Sequence, residues 1–232
     1  MNKKKLFFIS SSIQFYENFL TKTLQGLNNH YEIYVVTNLS MQTIEFSNIS
    51  LINMNILRNI SPFKDLSCAM QLIKILWKVR PDVIISSSPK GLLIAAMATL
   101  FYRCQRMHIL TGIIWSGKIN KFKKLIYKSL DIIFLYSCKK IFVDSPSQIQ
   151  FLQQEKFYIK KLSLIDEGSI QGVDLDQFKI MDNNQDLRKK FSFSNDQILL
   201  LFLGRLSPEK GIYYFIDLII NLRRENKNIM GL

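Results

Sequence analysis

The chain has 232 residues, of which 48% are hydrophobic and 21% are charged. This composition excludes a disordered chain and supplies enough apolar side chains for one large domain or two modest domains. The formal net charge of +13 indicates anionic partners such as phosphates, nucleic acid or an acidic membrane surface, or else lysines spread over solvated faces.

Short apolar strands alternate with helices through the first part of the chain. The predicted strands are KLFFIS (5–10), YEIYVVTN (31–38), NISLINMNI (48–56), DVIISS (82–87), RMHILTG (106–112), the start of KKIFVDSPS (139–147) and KLSLID (161–166). The predicted helices cover residues 14–27, 62–80, 91–103 and 118–137, with a further helix after Ser147. This alternation is typical of a parallel sheet covered on both faces, so we expect an α/β doubly wound domain.

The residue composition of the sequence changes after residue 167. Residues 168–196 are polar and contain two glycines, which is typical of an interdomain connection. A buried strand (197–203) and a helix (211–222) follow. The sequence therefore predicts a domain over 1–167, a connection over 168–196 and the start of a second domain over 197–232.

Cysteine and histidine usage argues against a disulfide framework and against a metal site. Cys68, Cys104 and Cys138 are odd in number and form no C-x-x-C pair, which is typical of a reducing compartment. With only two histidines, no metal site is predicted. The longest apolar run, residues 92–102, is too short to span a bilayer, so no membrane-spanning helix is predicted.

Two loops follow predicted strands at the sheet edge where ligands of open parallel sheets bind. In SSSPKG (86–91), Ser88 and Lys90 at a helix N-terminus favour an anion, or else Ser88 is an ordinary cap beside a solvated Lys90. In LTGIIWSG (110–117), Thr111 and Gly112 end a strand, and the alternative is a plain turn around a packed Trp115. We interpret His108, inside the preceding strand, as a core residue.

A third loop, GRLSPEKG (204–211), combines features that suit a phosphate group. Gly204 permits a sharp turn after the strand, Arg205 can hold two phosphate oxygens, and Lys210 adds a point charge beside the next helix. The glycine cage and the Lys-Ser/Thr pair of a Walker loop are missing from it. The alternative is a basic surface loop.

The stretch FLGRLSPEKGI (202–212) resembles the donor-diphosphate loop of retaining GT-B glycosyltransferases, the family-four group that acts in O-antigen and capsule synthesis. GSIQGVDLDQF (168–178) resembles the segment between the two domains of that family. The resemblance extends back through RPDVIISSSPKGLLIAAMA, ILTG and KKIFVDSPSQIQFL, in family order. It implies two Rossmann-like domains in the GT-B arrangement.

The resemblance also implies a donor site. The donor would be a nucleotide sugar, expected to be UDP-linked, and its diphosphate would be bound by Gly204, Arg205 and Lys210. The two cationic side chains would stabilise the negative charge on the leaving diphosphate, without a metal cofactor. The anomeric configuration of the sugar would be retained.

The acceptor site implied by the resemblance lies in the N-terminal domain. The Ser-Pro-Lys loop and the strand-end Thr-Gly are similar to the subgroup that extends sugars on polyprenyl-diphosphate carriers, so the acceptor would lie near Ser88, Lys90, Thr111 and Gly112. Thr111 occupies the position where many members have histidine. Ile113 and Ile114 occupy the positions where the subgroup usually has Leu-Gly. No catalytic acid, base or nucleophile is assigned.

Residues 118–140 contain seven lysines and one acid. On the predicted helix one face holds Lys121, Lys124 and Lys128, and the other holds the apolar side chains of Ile119, Phe122, Ile126 and Leu130. Such a helix resembles an interfacial element that faces anionic lipid through its lysines. The alternative packs the apolar face on the sheet and leaves the lysines solvated. The first interpretation places the protein in the cytoplasm, on the inner face of the membrane.

Only one helix and a short tail are predicted after Gly211, which is too little for a nucleotide-binding half. The resemblance therefore implies a C-terminally truncated enzyme, and we expect no transferase activity from the 232-residue chain by itself. Two other classes stay open. One is a non-catalytic α/β subunit or remnant. The other, less favoured because the sequence has no basic-aromatic motif, is a nucleic-acid-binding protein.

Overall fold

The computed structural model describes two compact units of the chain, residues 1–172 and residues 173–232. Within them the described residues are 3–40, 45–59, 61–117, 119–157, 161–173, 175–176, 178–179, 188–225 and 228–232. The predicted domain boundaries at 167 and 196 stay predictions. Part of the predicted connection, including Asp174 of its family-like segment, lies outside the described residues.

The first unit is built on a seven-stranded parallel sheet. Its strands are β1 (Lys5–Ile9), β2 (Glu32–Thr37), β3 (Ser50–Asn53), β4 (Val83–Ser86), β5 (Gln105–Leu110), β6 (Lys140–Val143) and β7 (Leu162–Leu164). Their order across the sheet is β3-β2-β1-β4-β5-β6-β7. All described pairings are parallel; Phe8, for example, lies between Val35 of β2 and Ile85 of β4.

Within the described part of the first unit, six α-helices connect these strands. They are α1 (Ile13–Phe19), α2 (Thr21–Asn28), α3 (Pro62–Val79), α4 (Pro89–Ala98), α5 (Lys121–Tyr136) and α6 (Pro146–Gln154). Three of them, α3, α4 and α6, begin with proline at the first position after a serine, where the missing N–H costs nothing. None of the described helices is long and apolar enough to cross a membrane.

Both faces of the sheet are covered, because successive side chains of each strand point to opposite sides. Phe7 and Ile9 pack against α3 and α4, whereas Leu6 and Phe8 pack against α1 and α2. In a further hydrophobic cluster, Trp115 packs with side chains of α5, β6 and α6. Burying a Leu or Phe side chain stabilises the fold by about 1.5–3 kcal/mol. The predicted doubly wound α/β fold is confirmed.

Several helix boundaries differ from the predicted ones; α4, for example, covers Pro89–Ala98 where 91–103 was predicted. The predicted helix 14–27 is two helices, because Leu20 leaves helical geometry between α1 and α2. The helix predicted from 118 begins at Lys121, where Asn120 accepts a hydrogen bond from the Phe122 N–H at 2.8 Å. The helix predicted after Ser147 begins at Pro146, since Ser145 is its cap.

The second unit contains two strands and a helix that connects them. Strands β8 (Ile198–Leu200) and β9 (Ile229–Gly231) pair in parallel, and the helix α7 (Ile212–Glu225) connects them. The tail that we expected after the helix therefore includes a strand. Only three residues form β9, too few for a hydrophobic period to predict it.

Helix α4 approaches β1 so closely that residue 91 must be glycine. A Cβ atom on Gly91 would lie 2.7 Å from the carbonyl oxygen of Ile9, closer than packed atoms come. Gly26, on the exposed side of α2, offers a contrast, because a Cβ atom there would have nothing within 4 Å.

We expect Gly91→Ala to reduce the free energy of unfolding by about 1–3 kcal/mol, because the strand or the helix must shift. Chemical denaturation followed by the fluorescence of buried Trp115 measures the change. The matched control, Gly26→Ala, should gain about 0.5–1 kcal/mol from its helical preference. Equal losses in the two variants would contradict the close approach of α4 to β1.

His108 is a buried core residue of β5. Its Nδ1 atom lies 2.8 Å from Oγ of Ser86 on the neighbouring strand β4. Burial lowers the pKa of His108 from 6.5 to about 3. The folded protein therefore keeps this imidazole neutral at pH values where the unfolded chain protonates it.

The low pKa of His108 predicts a specific loss of stability in acid. Between pH 6.5 and about 3 the unfolded state binds a proton that the folded state does not, so the free energy of unfolding falls as the pH is lowered through this window. His108→Gln should lack that component of the pH dependence, whereas His30→Gln, at an exposed position, should keep it. Denaturation curves across the pH range test this; parallel profiles for wild type and His108→Gln would contradict it.

Candidate functional site

The centre of the sheet is a topological switch point. From β1 the chain proceeds to β2 on one side, and from β4 it proceeds to β5 on the other. The loops that leave these two strands therefore meet at the carboxyl edge of the sheet, where ligands of such folds bind. Ser10, Ser11 and Ser12 follow β1, and a second run of three serines (86–88) begins at the last residue of β4.

The two serine loops are joined by hydrogen bonds. The Ser11 N–H donates to Oγ of Ser88 at 3.1 Å, and the Ser87 N–H donates to the carbonyl oxygen of Ile9 at 3.1 Å. Ser88 also caps α4, since its Oγ accepts from the Gly91 N–H at 3.0 Å. The capping role left open for Ser88 is thus present, and its side chain also holds the loop after β1.

Lys90 is neither solvated nor open to an anion. Its side chain is buried in the first turn of α4, and its Nζ donates to Oδ2 of Asp65, in the first turn of α3. The same carboxylate accepts a hydrogen bond from the Ser61 N–H at 3.3 Å. The positive charge expected for acceptor binding is therefore neutralised inside the protein, where it ties the starts of two helices together.

Thr111 and Gly112 follow β5 at the same carboxyl edge, and both are exposed. Next comes a short 3₁₀ turn, Ile114–Ser116, which buries Trp115 against the rings of Phe151 and Phe157. The packed tryptophan of the alternative interpretation is therefore observed. Because Ser86 pairs with His108, the Thr111 loop and the Ser88 loop leave neighbouring strands at the same edge.

A cleft on the other side of β1 was missed by sequence reasoning. It has a volume of about 490 Å³ and lies at the carboxyl ends of β1, β2 and β3. Its lining residues are Ser11, Ser12, Gln14, Asn38, Ser40, Ile56, Leu57 and Arg58. Arg58 supplies a guanidinium group beside several hydroxyl and amide groups. The three serines after the first strand were the sequence signal that could have indicated this cleft. Arg58 could not be assigned to it from sequence, because it follows a different strand.

In the second unit, the loop 204–211 presents its basic side chains to solvent. Arg205 and Lys210 are both exposed. A Cβ atom on Gly204 would lie 3.6 Å from the Phe202 ring and 3.9 Å from Cβ of Lys210. A 3₁₀ turn, Pro208–Lys210, leads into α7. The glycine with left-handed backbone is Gly211, with φ of 83°. The turn therefore depends on Gly211, whereas a Cβ atom on Gly204 would make only ordinary van der Waals contacts.

The three lysines expected to face a membrane occupy different surroundings. Lys121 is exposed at the start of α5. Lys124 and Lys128 donate to the carboxylate of Glu155, just after α6, at 2.7 and 3.1 Å. These hydrogen bonds lower the pKa of Glu155. Lys128 also lies 5.2 Å from the centre of the Trp115 ring.

No cluster of three or more histidine, cysteine or acidic side chains suited to a metal ion occurs among the residues that the structure describes. Cys68 and Cys138 are buried, and burial raises the pKa of both thiols.

The buried pair of Asp65 and Lys90 predicts strong non-additivity. Asp65→Asn and Lys90→Met should each reduce the free energy of unfolding by about 3–5 kcal/mol, because each leaves an uncompensated buried charge. The double variant should lose much less than the sum of the two. A double-mutant cycle by chemical denaturation measures the coupling, and additive losses would show that the pair is not formed.

No protein-family model matches the chain. It is 29% identical over 164 residues to the UDP-Gal:alpha-D-GlcNAc-diphosphoundecaprenol alpha-1,3-galactosyltransferase of Escherichia coli, covering 69% of this chain and 41% of that protein. It is 25% identical over 162 residues to the capsular polysaccharide biosynthesis glycosyltransferase CapM of Staphylococcus aureus, covering 69% and 42%. The matched stretch thus spans less than half the length of these relatives.

The fold is shared with solved sugar-nucleotide enzymes. The crystal structure of Anabaena Alr3699/HepE in complex with UDP and glucose matches with a TM-score of 0.72 and 16% identity, over 98% of this chain and 60% of that one. The crystal structure of a UDP-N-acetylglucosamine 2-epimerase from Listeria monocytogenes matches with a TM-score of 0.63 and 13% identity, over 99% of this chain and 62% of that one. The fold alone therefore does not distinguish sugar transfer from epimerisation. Sequence similarity and fold together confirm the resemblance of this chain to GT-B glycosyltransferases of bacterial surface-polysaccharide synthesis.

Proposed function

We propose that this chain acts in the transfer of a sugar from a UDP-linked donor to a polyprenyl-diphosphate-linked saccharide. The supporting observation is the similarity over 164 residues to a galactosyltransferase whose name specifies a UDP-sugar donor and a diphosphoundecaprenol-linked acceptor. The name of the second relative, CapM, specifies capsular polysaccharide biosynthesis. A non-catalytic α/β subunit with the same fold is the alternative.

The proposed donor site is the loop 204–211. Arg205 and Lys210 are exposed there, and the described N-terminus of α7 follows directly after Gly211. A guanidinium and an ammonium group beside a helix N-terminus favour a diphosphate. In the proposed reaction these charges stabilise the departing UDP, with retention at the sugar carbon and without a metal cofactor.

The proposed acceptor site is the carboxyl edge of the first unit. Thr111 and Gly112 are exposed there, and Ser88 holds the neighbouring loop in place. We propose that Lys90 acts indirectly, through its pair with Asp65, by positioning the start of α4. Arg58, in the adjacent cleft, is the cation proposed to meet the acceptor's diphosphate.

The proposed location is the cytoplasmic face of the membrane, with an anionic lipid surface as a partner. A polyprenyl carrier is held in the bilayer, so the enzyme that elongates its sugar must work beside the headgroups. Nucleic acid is not a proposed partner. Two lysines of the basic helix are paired with Glu155, which leaves less charge for a phosphate backbone.

The donor site predicts weak, saturable binding of UDP that depends on Arg205. Arg205→Ala should weaken UDP binding about tenfold, because a charge-assisted hydrogen bond to the diphosphate is lost. Ligand-observed NMR or calorimetry on the 232-residue chain measures the dissociation constant. Arg224→Ala removes an exposed arginine from the opposite end of α7 and should leave the constant unchanged.

Two outcomes would contradict the donor assignment. One is a chain that binds UDP no better than a nucleoside without phosphate. The other is equal weakening by Arg205→Ala and Arg224→Ala, which would indicate attraction by general charge and not by the loop.

A further inference from the structure

Helix α5 is amphipathic, but its charged face points into the protein and its apolar face points outward. Lys124 and Lys128 pair with Glu155, as described above. The acid of the helix, Asp131, accepts a hydrogen bond from Nε1 of buried Trp115 at 2.8 Å. Three charged side chains at helical spacing are therefore satisfied by partners on the inward side.

The outward side of the same helix is apolar. We call it the α5 apolar face, and its residues are Phe122, Leu125, Ile126, Ile133 and Tyr136. Phe122 is 70% exposed, and Leu125 and Ile133 are each 63% exposed. At 100° per residue these side chains and Ser129 form one continuous stripe. Large apolar stripes on a protein surface mark places of contact with a partner or a membrane.

The surroundings of the α5 apolar face carry positive charge. Lys121 and Lys123 are exposed at its amino end, and Lys139 and Lys140 are exposed just beyond its carboxyl end. Asp131, the acid within α5, is turned inward against Trp115. An apolar stripe bordered by lysines is complementary to a bilayer with anionic headgroups, where acyl chains accept the stripe and phosphates attract the cations.

A second copy of the chain fits this surface less well. In a twofold pairing of the α5 apolar face, the lysines at its ends would border a partner surface of the same charge. Such repulsion weakens a dimer, whereas the same lysines strengthen attachment to an anionic surface.

We propose that the α5 apolar face docks the chain on an anionic lipid surface by inserting its side chains into the headgroup layer. The lysines at its two ends contact the headgroups, while Lys124 and Lys128 stay paired with Glu155. This inference rests on the proposed function for its biological setting, since a lipid-linked acceptor requires an enzyme at the bilayer. It replaces attachment through the lysine face with attachment through the apolar face.

Co-sedimentation of the 232-residue chain with vesicles tests the docking face. The probes are vesicles of phosphatidylcholine alone and vesicles that also contain phosphatidylglycerol, at low and high salt. We expect tighter binding to the anionic vesicles, and binding that salt weakens but does not abolish. Phe122→Ser/Ile133→Ser should weaken binding about tenfold or more at both salt concentrations.

Matched variants distinguish insertion of the apolar side chains from electrostatic attraction and from non-specific adsorption through other exposed apolar side chains. Leu203→Ser/Tyr214→Ser removes two exposed apolar side chains from the second unit and should bind vesicles like wild type. Lys121→Gln/Lys123→Gln should lose much of the preference for anionic vesicles and its salt dependence. Phe122→Trp should shift its fluorescence to shorter wavelengths when vesicles are added, relative to the wild-type protein, because the new indole enters an apolar layer.

Unchanged vesicle binding by Phe122→Ser/Ile133→Ser would overturn the proposal, provided circular dichroism shows the wild-type fold. So would a change confined to self-association in sedimentation without vesicles, which would assign the face to a second copy. UDP binding is measured separately, through Arg205. Failure of the donor assignment would thus leave vesicle docking testable, and the reverse also holds.

Discussion

The parallel pairing of β1 with β4 is the constraint on which the first unit depends. It aligns Ile9 with Ser86 and brings the loops after both strands to one point of the sheet edge. The hydrogen bonds between Ser11 and Ser88 follow from this register, and so does the glycine at position 91, where α4 passes over the carbonyl of Ile9. A slip of one residue would turn Phe7 and Phe8 to the opposite faces of the sheet and remove both core layers.

Lysine has two unlike roles in this protein. The chain carries a large positive excess, yet several lysines that stand out in the sequence are neutralised internally. Lys90 is held by Asp65, and Lys124 and Lys128 share Glu155. Their long apolar stems reach across gaps between helices while the ammonium groups meet carboxylates. The lysines left at the surface are therefore a better guide to partners than the net charge.

The alternation of apolar strands and helices made the fold predictable, because a parallel sheet buries both faces and leaves long hydrophobic runs in the sequence. The Ser88, Thr111 and Arg205 loops could be located for a related reason, since each directly follows a strand. Partners distant in sequence were not predictable. Nothing local indicates that Lys90 meets Asp65, which lies 25 residues earlier. The orientation of α5 was hidden likewise, because periodicity shows that a helix has two faces but does not show which face a neighbour such as Glu155 will hold.

Trp115 connects two features that are otherwise separate. Its ring nitrogen is hydrogen-bonded to Asp131 in the middle of α5, and its backbone belongs to the turn that begins just after Gly112. The Thr111 loop and α5 are thus joined through one aromatic side chain. Any surface on which α5 rests also sets the height of Thr111 above it. If the proposed function and docking hold, a carrier-bound sugar is selected by reach as well as by chemistry, since only a chain of the right length presents its end sugar at that height.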